Sequence, residues 1–289
     1  MHTVRPFARA VTTTTAALFA VAMLAACAQE ETPAAPSASA GADACENITT
    51  KQDGALTVAT SDPAFPPYVL HNDPTNGKGF ESAVAYAVAE QMGFDSASVE
   101  WTFAPFNKLF APGEKDYDFA LNQISITPER QRAVTFSDPY YEAANAALVL
   151  EDSQFASATT LADLQDAKIG VQSATTAQTQ VEAEIAPTQD ISVFPSSTNA
   201  TQALKNGQID AFVTDLPTTL YLSAVEVPGV VVGQLPGDEA ADTWGLVLEK
   251  NNPLVSCANQ ALTALRESGQ LTEITDKWMT DYTKAPVLG

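Results

Sequence analysis

NQISITPERQRAVTFSDPYY, residues 122–141, is the stretch on which the reading of the whole chain turns. It begins where the apolar run Phe119–Leu121 stops, offers the hydroxyls of Ser125 and Thr127, then Arg130, and closes on Asp138-Pro139-Tyr140-Tyr141, which reads as an aromatic-proline turn. A strand that ends in small hydroxyl residues beside an Arg is suited to holding a carboxylate. Hydroxyls and backbone N–H groups at a helix start donate hydrogen bonds, and the positive end of the helix dipole favours negative charge. A guanidinium adds a planar fork that bonds both carboxylate oxygens at once. The same residues also fit a surface turn followed by a short amphipathic helix with Glu129 and Arg132 in water, because Arg is mostly exposed. Residue chemistry alone leaves both readings open.

Outward from this stretch, apolar periods alternate. Ala55–Thr60 is a short strand that Ser61-Asp62-Pro63-Ala64-Phe65-Pro66-Pro67-Tyr68 cannot continue, since three prolines deny ladder donors. The loop presents Asp62, Phe65 and Tyr68 just past a strand end, where ligands sit in open α/β sheets. Phe80, Val84, Val88 and Met92 recur at helical spacing and Gly93 stops the helix. Val99–Phe103 and Ala146–Glu151 are further strands.

The pattern restarts near 152. Leu161–Leu164 is a helical turn and Lys168–Val171 a strand; Gln172–Thr176 opens a helix running to about Glu184. Ile191–Phe194 is a strand, Thr198–Asn206 a helix, Ala211–Thr214 a strand ending at Asp215, and Val230–Gln234 another strand. Trp244–Leu248 returns the chain to the first body, and two helices follow, one from Pro253 and one holding Leu271, Ile274 and Trp278. Strands alternating with helices predict α/β layers with largely parallel sheet. With 289 residues, 45% hydrophobic and 17% charged, the chain has length and apolar content enough for a core.

ISITPER followed by FSDPYY resembles the signature of bacterial extracellular solute-binding proteins of family 3, the polar amino-acid receptors of ABC importers. LTVATSDPAFPPY (56–68), KGFESAVAYAVAEQMG (78–93), KIGVQSATT (168–176), KNGQIDAFVTDLP (205–217) and WGLVLEK (244–250) resemble the family in the same order. The resemblance spans nearly all of 55–282. It implies a two-lobed periplasmic-binding-protein-like fold of type II, with mixed, mostly parallel sheets, flanking helices and two crossing hinge strands. Lobe 1 is then discontinuous, 45–147 plus 243–282, and lobe 2 is the insert 148–242, with a ligand between them.

Carried over residue by residue, the resemblance implies that Arg130 clasps a ligand α-carboxylate, helped by Ser125 and by Thr175 and Thr176 at the start of a helix. Asp215 takes the α-ammonium, or caps the helix beginning at Leu216-Pro217, or does both. Phe65 and Phe106 match positions whose rings sandwich the ligand; Phe106 fits ordinary core as well. Asp62 matches a position that meets polar or cationic side-chain ends. Asn122 and Gln123 replace small residues and add amides to that wall. An acidic ligand side chain would be repelled by Asp62, so a neutral-polar or basic amino acid is expected. Arg130→Ala or Asp215→Ala is expected to abolish binding with thermal unfolding nearly unchanged.

The amino terminus suggests export. Arg5 and Arg9 precede the apolar run Ala16–Ala26, too short for a membrane span, and Leu24-Ala25-Ala26-Cys27 looks like a lipobox. The expectation is a signal peptide over 1–26, lipidation of Cys27 on the outer face of the cytoplasmic membrane, and a flexible Ala/Pro/Ser-rich tether over 27–44; an ordinary secretory signal is the alternative. Removing 1–26 makes the formal charge of −21 more negative by two, which argues against nucleic acid as a partner. If Cys27 carries lipid, Cys45 and Cys257 remain in an oxidising compartment, so a Cys45–Cys257 bridge is expected, two buried thiols being the alternative.

Enzyme chemistry finds little footing. Past the signal the only histidine is His71, so there is no His cluster for a metal and no H-E-x-x-H. No catalytic residue, metal or cofactor is expected, and the absence of a Walker loop assigns energy to a separate ATPase bound to a permease. A monomer is expected. The family's fold also serves cyclohexadienyl dehydratases and peptidoglycan-lyase domains, so a dehydratase-like enzyme, or a ligand-sensing lipoprotein, is the alternative.

Overall fold

A computed structural model describes residues 44–237 and 242–289. The chain divides into 1–41 and a compact unit, 42–289, which holds everything described. The expected signal peptide, Cys27 and all of the tether except Ala44 lie outside the described residues. The Ala44 N–H donates to Gln260 Oε1 at 2.8 Å.

The elements, in order, are β1 (Leu56–Thr60), α1 (Phe80–Gln91), β2 (Val99–Phe103), α2 (Phe106–Leu109), β3 (Phe119–Ala120), α3 (Pro128–Ala133), β4 (Thr135–Glu142), β5 (Asn145–Leu150), β6 (Ile169–Gln172), α4 (Thr176–Gln180), β7 (Ser192–Phe194), α5 (Ser197–Lys205), β8 (Ala211–Asp215), α6 (Leu216–Val225), β9 (Gly229–Gln234), β10 (Thr243–Leu248), α7 (Leu254–Glu267) and α8 (Gln270–Met279). They form two five-stranded sheets, ordered β2-β1-β3-β10-β4 and β7-β6-β8-β5-β9. In each sheet one strand, β10 or β5, runs against the other four. The mixed, mostly parallel arrangement expected from the sequence is therefore present.

The central strands bury both faces, as their nearly continuous apolar runs require. In β1, Leu56 and Val58 join the core beneath α1 and α7, while Ala59 faces the opposite layer with Leu109, Ile124 and Val247. In the second sheet Ala147, Val149, Ile169 and Val213 face one layer, and Leu148 and Phe212 the other. Helix α1 is apolar almost all round and is buried on most of its surface, including Glu81. It starts at Gly79, φ +103°, where a Cβ would lie 2.3 Å from the Tyr68 carbonyl oxygen. Only glycine brings the Tyr68 loop and the start of α1 this close.

Residues 135–142 depart from the sequence reading: they form strand β4 rather than a turn. β4 lies at the edge of its sheet, beyond β10, where Pro139 removes no ladder donor that a neighbour needs. The ladder shifts register beside Gly245 to accommodate it. Only Ala143 and Ala144 separate β4 in the first sheet from β5 in the second, and the return path from β9 to β10 spans 235–242. A further connection was not anticipated. Residues past α8 run back to the second sheet, where Val287 bridges Gln234 and Leu288 enters the core.

Cys45 and Cys257 form a disulfide, with Cα atoms 4.7 Å apart. It fixes the start of the body to α7 as expected. Among the described residues no helix is long and apolar enough to cross a membrane.

Candidate functional site

A cavity of about 400 Å³ lies between the two sheets, lined from the first by residues 60–65, 68, 69, 103–107, 122, 123, 125, 130 and 244 and from the second by residues 172, 173, 175–177, 195–197, 214, 215 and 218. All ten sequence-predicted residues, Asp62, Phe65, Phe106, Asn122, Gln123, Ser125, Arg130, Thr175, Thr176 and Asp215, line it. The volume falls within the range of small-molecule sites.

Arg130 reaches the cavity because Thr127 caps α3: its side chain accepts from the Arg130 N–H, and Pro128 fits the first turn. Arg130 is 8% exposed. It donates to the Ser125 carbonyl at 2.8 Å and to the Ala174 carbonyl, on the far side of the cavity, at 2.9 Å. It also lies over the Phe110 ring at 4.3 Å and the Phe106 ring at 5.8 Å. Burial pulls its pKa down to about 10, which leaves it charged at neutral pH.

Asp215 ends β8 and caps α6, accepting from the Thr218 N–H at 2.9 Å. Its other oxygen accepts from the Thr218 and Thr214 hydroxyls at 3.0 and 3.3 Å. The Tyr68 hydroxyl donates to it from the opposite side of the cavity. Burial pushes the Asp215 carboxyl above its ordinary range and the Tyr68 phenol well above its own. Two groups of opposite charge, both desolvated, thus face one space from opposite sheets.

The remaining residues divide by what their polar atoms touch. Ser125 and Thr176 face each other across the cavity, 3.5 Å between hydroxyls. The Thr175 hydroxyl caps α4 and donates to the Gln172 carbonyl at 2.8 Å. Asn122 and Gln123 stand in the wall as expected, with the Asn122 carbonyl oxygen accepting from Thr60 and Ser61 and the Gln123 amide donating to Glu81. Asp62 is exposed at the mouth, accepting from Asn72 at 2.8 Å. Phe106 packs edge-on against Phe110. Among the described residues no group of three or more His, Cys, Asp or Glu is placed to hold a metal.

Sequence reasoning placed Tyr68 on the loop past the first strand without giving it a role, and missed Asn145, Asp242 and Glu81. Tyr68, Asn145 and Asp242 line the cavity. Glu81 lies behind it, 1% exposed, accepting from the Tyr140 hydroxyl, the Gln123 amide and the Gln123 N–H, the last at 2.7 Å. It thereby holds Gln123 at φ +51°, a left-handed conformation that a non-glycine residue adopts reluctantly. An acid in the first turn of an otherwise apolar helix was the available signal.

Glu81 gives a pH prediction. Burial, opposed by these hydrogen bonds, raises its pKa from 4.5 to about 7. Between those values the folded chain holds a proton that the unfolded chain releases. The resulting stability is fully present below pH 4.5 and is lost as pH rises through 7, up to about 3 kcal/mol. The thermal midpoint is expected to fall between pH 5 and pH 8, and to fall less in Glu81→Gln; equal falls in the two proteins would contradict this.

Comparison with known proteins places this architecture. The family model for bacterial extracellular solute-binding proteins, family 3, matches residues 56–281. An arginine-binding periplasmic protein of Mannheimia haemolytica is 28% identical over 229 residues, covering 78% of this chain and 92% of the relative. A solved ancestral arginine-binding protein bound to glutamine superposes with a TM-score of 0.67 at 30% identity, covering 78% of this chain and 98% of that one. An ancestral amino acid-binding protein described as a precursor of cyclohexadienyl dehydratase gives a TM-score of 0.65 at 28% identity, covering 78% and 95%. The matched span takes in both sheets and the cavity between them, and the chain belongs to the bacterial extracellular solute-binding proteins of family 3.

Proposed function

We propose that the cavity captures a free α-amino acid with a neutral-polar or basic side chain, and that the chain delivers it to an ABC importer. One observation carries this reading: Arg130, buried, and Asp215, half-buried and of opposite charge, face a single cavity from opposite sheets. Arg130, Ser125, Thr175 and Thr176 hold the carboxylate end, Asp215 the ammonium end, and Phe65 and Phe106 the aliphatic part. A zwitterion is strongly hydrated, so a binder must replace water with fixed partners, which act more strongly once water is excluded. Among the described residues that line the cavity, the carboxylates of Asp62, Asp215 and Asp242 outnumber the one guanidinium, which favours a basic over an acidic side chain. The names of the relatives, arginine-binding in two cases, support the same choice.

In this reading residues 1–26 direct export, Cys27 carries the lipid that anchors the chain outside the cytoplasmic membrane, and 27–44 tethers a monomeric body. Lobe 1 is 45–147 with 243–282, lobe 2 is 148–242, and closure of one on the other is hinge motion. The permease and its ATPase are separate chains. A thermal-shift screen of the twenty amino acids tests the reading. A ligand at one hundred times its Kd stabilises by about 2.7 kcal/mol, or roughly 5–10 °C for a body of this size. Arginine, lysine, histidine or glutamine is expected to give that shift. No shift with any amino acid, or turnover of a cyclohexadienyl acid, would contradict it.

A further inference from the structure

Asp242 precedes β10 on the return path between the sheets, and its carboxylate points into the cavity among donors that the reading above gives to the ligand. One oxygen accepts from the Ser125 hydroxyl at 3.4 Å and the other from the Asn145 amide at 3.2 Å. The Thr176 hydroxyl and the Arg130 guanidinium lie beside the same carboxylate and favour its charged form. Thr176 in turn lies 3.5 Å from both the Ser125 hydroxyl and the Asn145 amide. Three side chains from separate parts of the chain, with a guanidinium behind them, thus converge on one carboxylate, and that carboxylate belongs to the protein. Burial, together with repulsion from Asp215, raises its pKa, as expected of an anion placed where another anion is to bind.

We propose that Asp242 is an internal stand-in for the ligand carboxylate: it occupies the carboxylate-binding donors in the absence of ligand and must yield them when an amino acid enters. This rests on the amino-acid reading and adds an affinity-setting residue to it. Two carboxylates cannot share these donors without repulsion, so Asp242 weakens binding of any ligand with an α-carboxylate. A ligand lacking that group meets no such competitor and gains from the negative charge. The side chain therefore acts oppositely on an amino acid and on its decarboxylated amine, which a merely structural role would not do.

Isothermal titration of wild type and Asp242→Asn with L-arginine, L-glutamine and agmatine (arginine without its carboxyl group) tests this. Asn keeps the size, removes the charge and offers an N–H to the incoming carboxylate. At least tenfold tighter binding of an amino acid is expected, with agmatine binding unchanged or weakened. Asp242→Ser, which also removes the charge, is expected to shift affinity in the same direction if the first variant folds poorly. Unchanged or weaker amino-acid binding in both variants would overturn the role of Asp242. Absence of heat from both amino acids in wild type and variants alike would instead overturn the amino-acid reading itself.

Discussion

Arg130→Met is expected to lose amino-acid binding by about thirtyfold to several thousandfold, the 2–5 kcal/mol typical when one partner of a buried, hydrogen-bonded charge pair is truncated. The residue is 8% exposed and its side chain is held by two carbonyls and the Phe110 ring, so its fork is fixed before any ligand arrives. Met fills similar space but offers neither charge nor donors. Sequence alone suggested that removing Arg130 would leave unfolding nearly unchanged; the contacts revise that. Loss of the guanidinium strands the Ser125 and Ala174 carbonyls and the stacking on Phe110, a cost of about 1–3 kcal/mol. Calorimetric titration and a thermal melt of the same sample check both parts. Wild-type affinity in the variant would remove Arg130 from the site.

Asp215→Asn separates binding from stability more cleanly. The amide oxygen can still accept from the Thr218 N–H, and Asn caps helices about as well as Asp. Neutralising a carboxyl whose pKa burial has already raised also relieves a desolvated charge. The melting temperature is therefore expected to stay within about 2 °C of wild type, a change of no more than about 1 kcal/mol. An ammonium facing Asn loses its counter-charge, and affinity is expected to drop at least a hundredfold, about 2.7 kcal/mol. Full-strength binding by this variant would contradict the assignment of the ammonium to Asp215.

Where local chemistry decided the outcome, the chain could be read in advance. The nearly continuous apolar runs in β1, β5 and β8, the helical spacing in α1 and α7 and the Asp215 cap all follow from short-range rules. The disulfide followed from cysteine arithmetic in a chain expected to be exported. Where partners are distant in sequence, the same rules were silent or misleading. Pro139 marks a turn by composition, yet at a sheet edge it is tolerated in a strand. Tyr68 lies 147 residues from the Asp215 that its hydroxyl meets. Glu81 lies 59 residues from Tyr140 and 42 from Gln123, so its place in the first turn of a largely apolar helix marks the acid but not the partners that hold it. Asp242 follows Asp238 and Glu239 and has the composition of a solvated loop, while its carboxylate lines the cavity. The family pattern supplied what periodicity could not: that these distant segments meet at one site.

A crystal structure of the chain with the amino acid that most stabilises it bound in the cavity tests the central claim most directly. The predicted result is an α-carboxylate within hydrogen-bonding distance of Arg130 and Ser125 and an α-ammonium on Asp215, with Asp242 turned out of the donor set. An amino acid bound with its charged ends elsewhere, Arg130 and Asp215 keeping only their contacts within the protein, would contradict it.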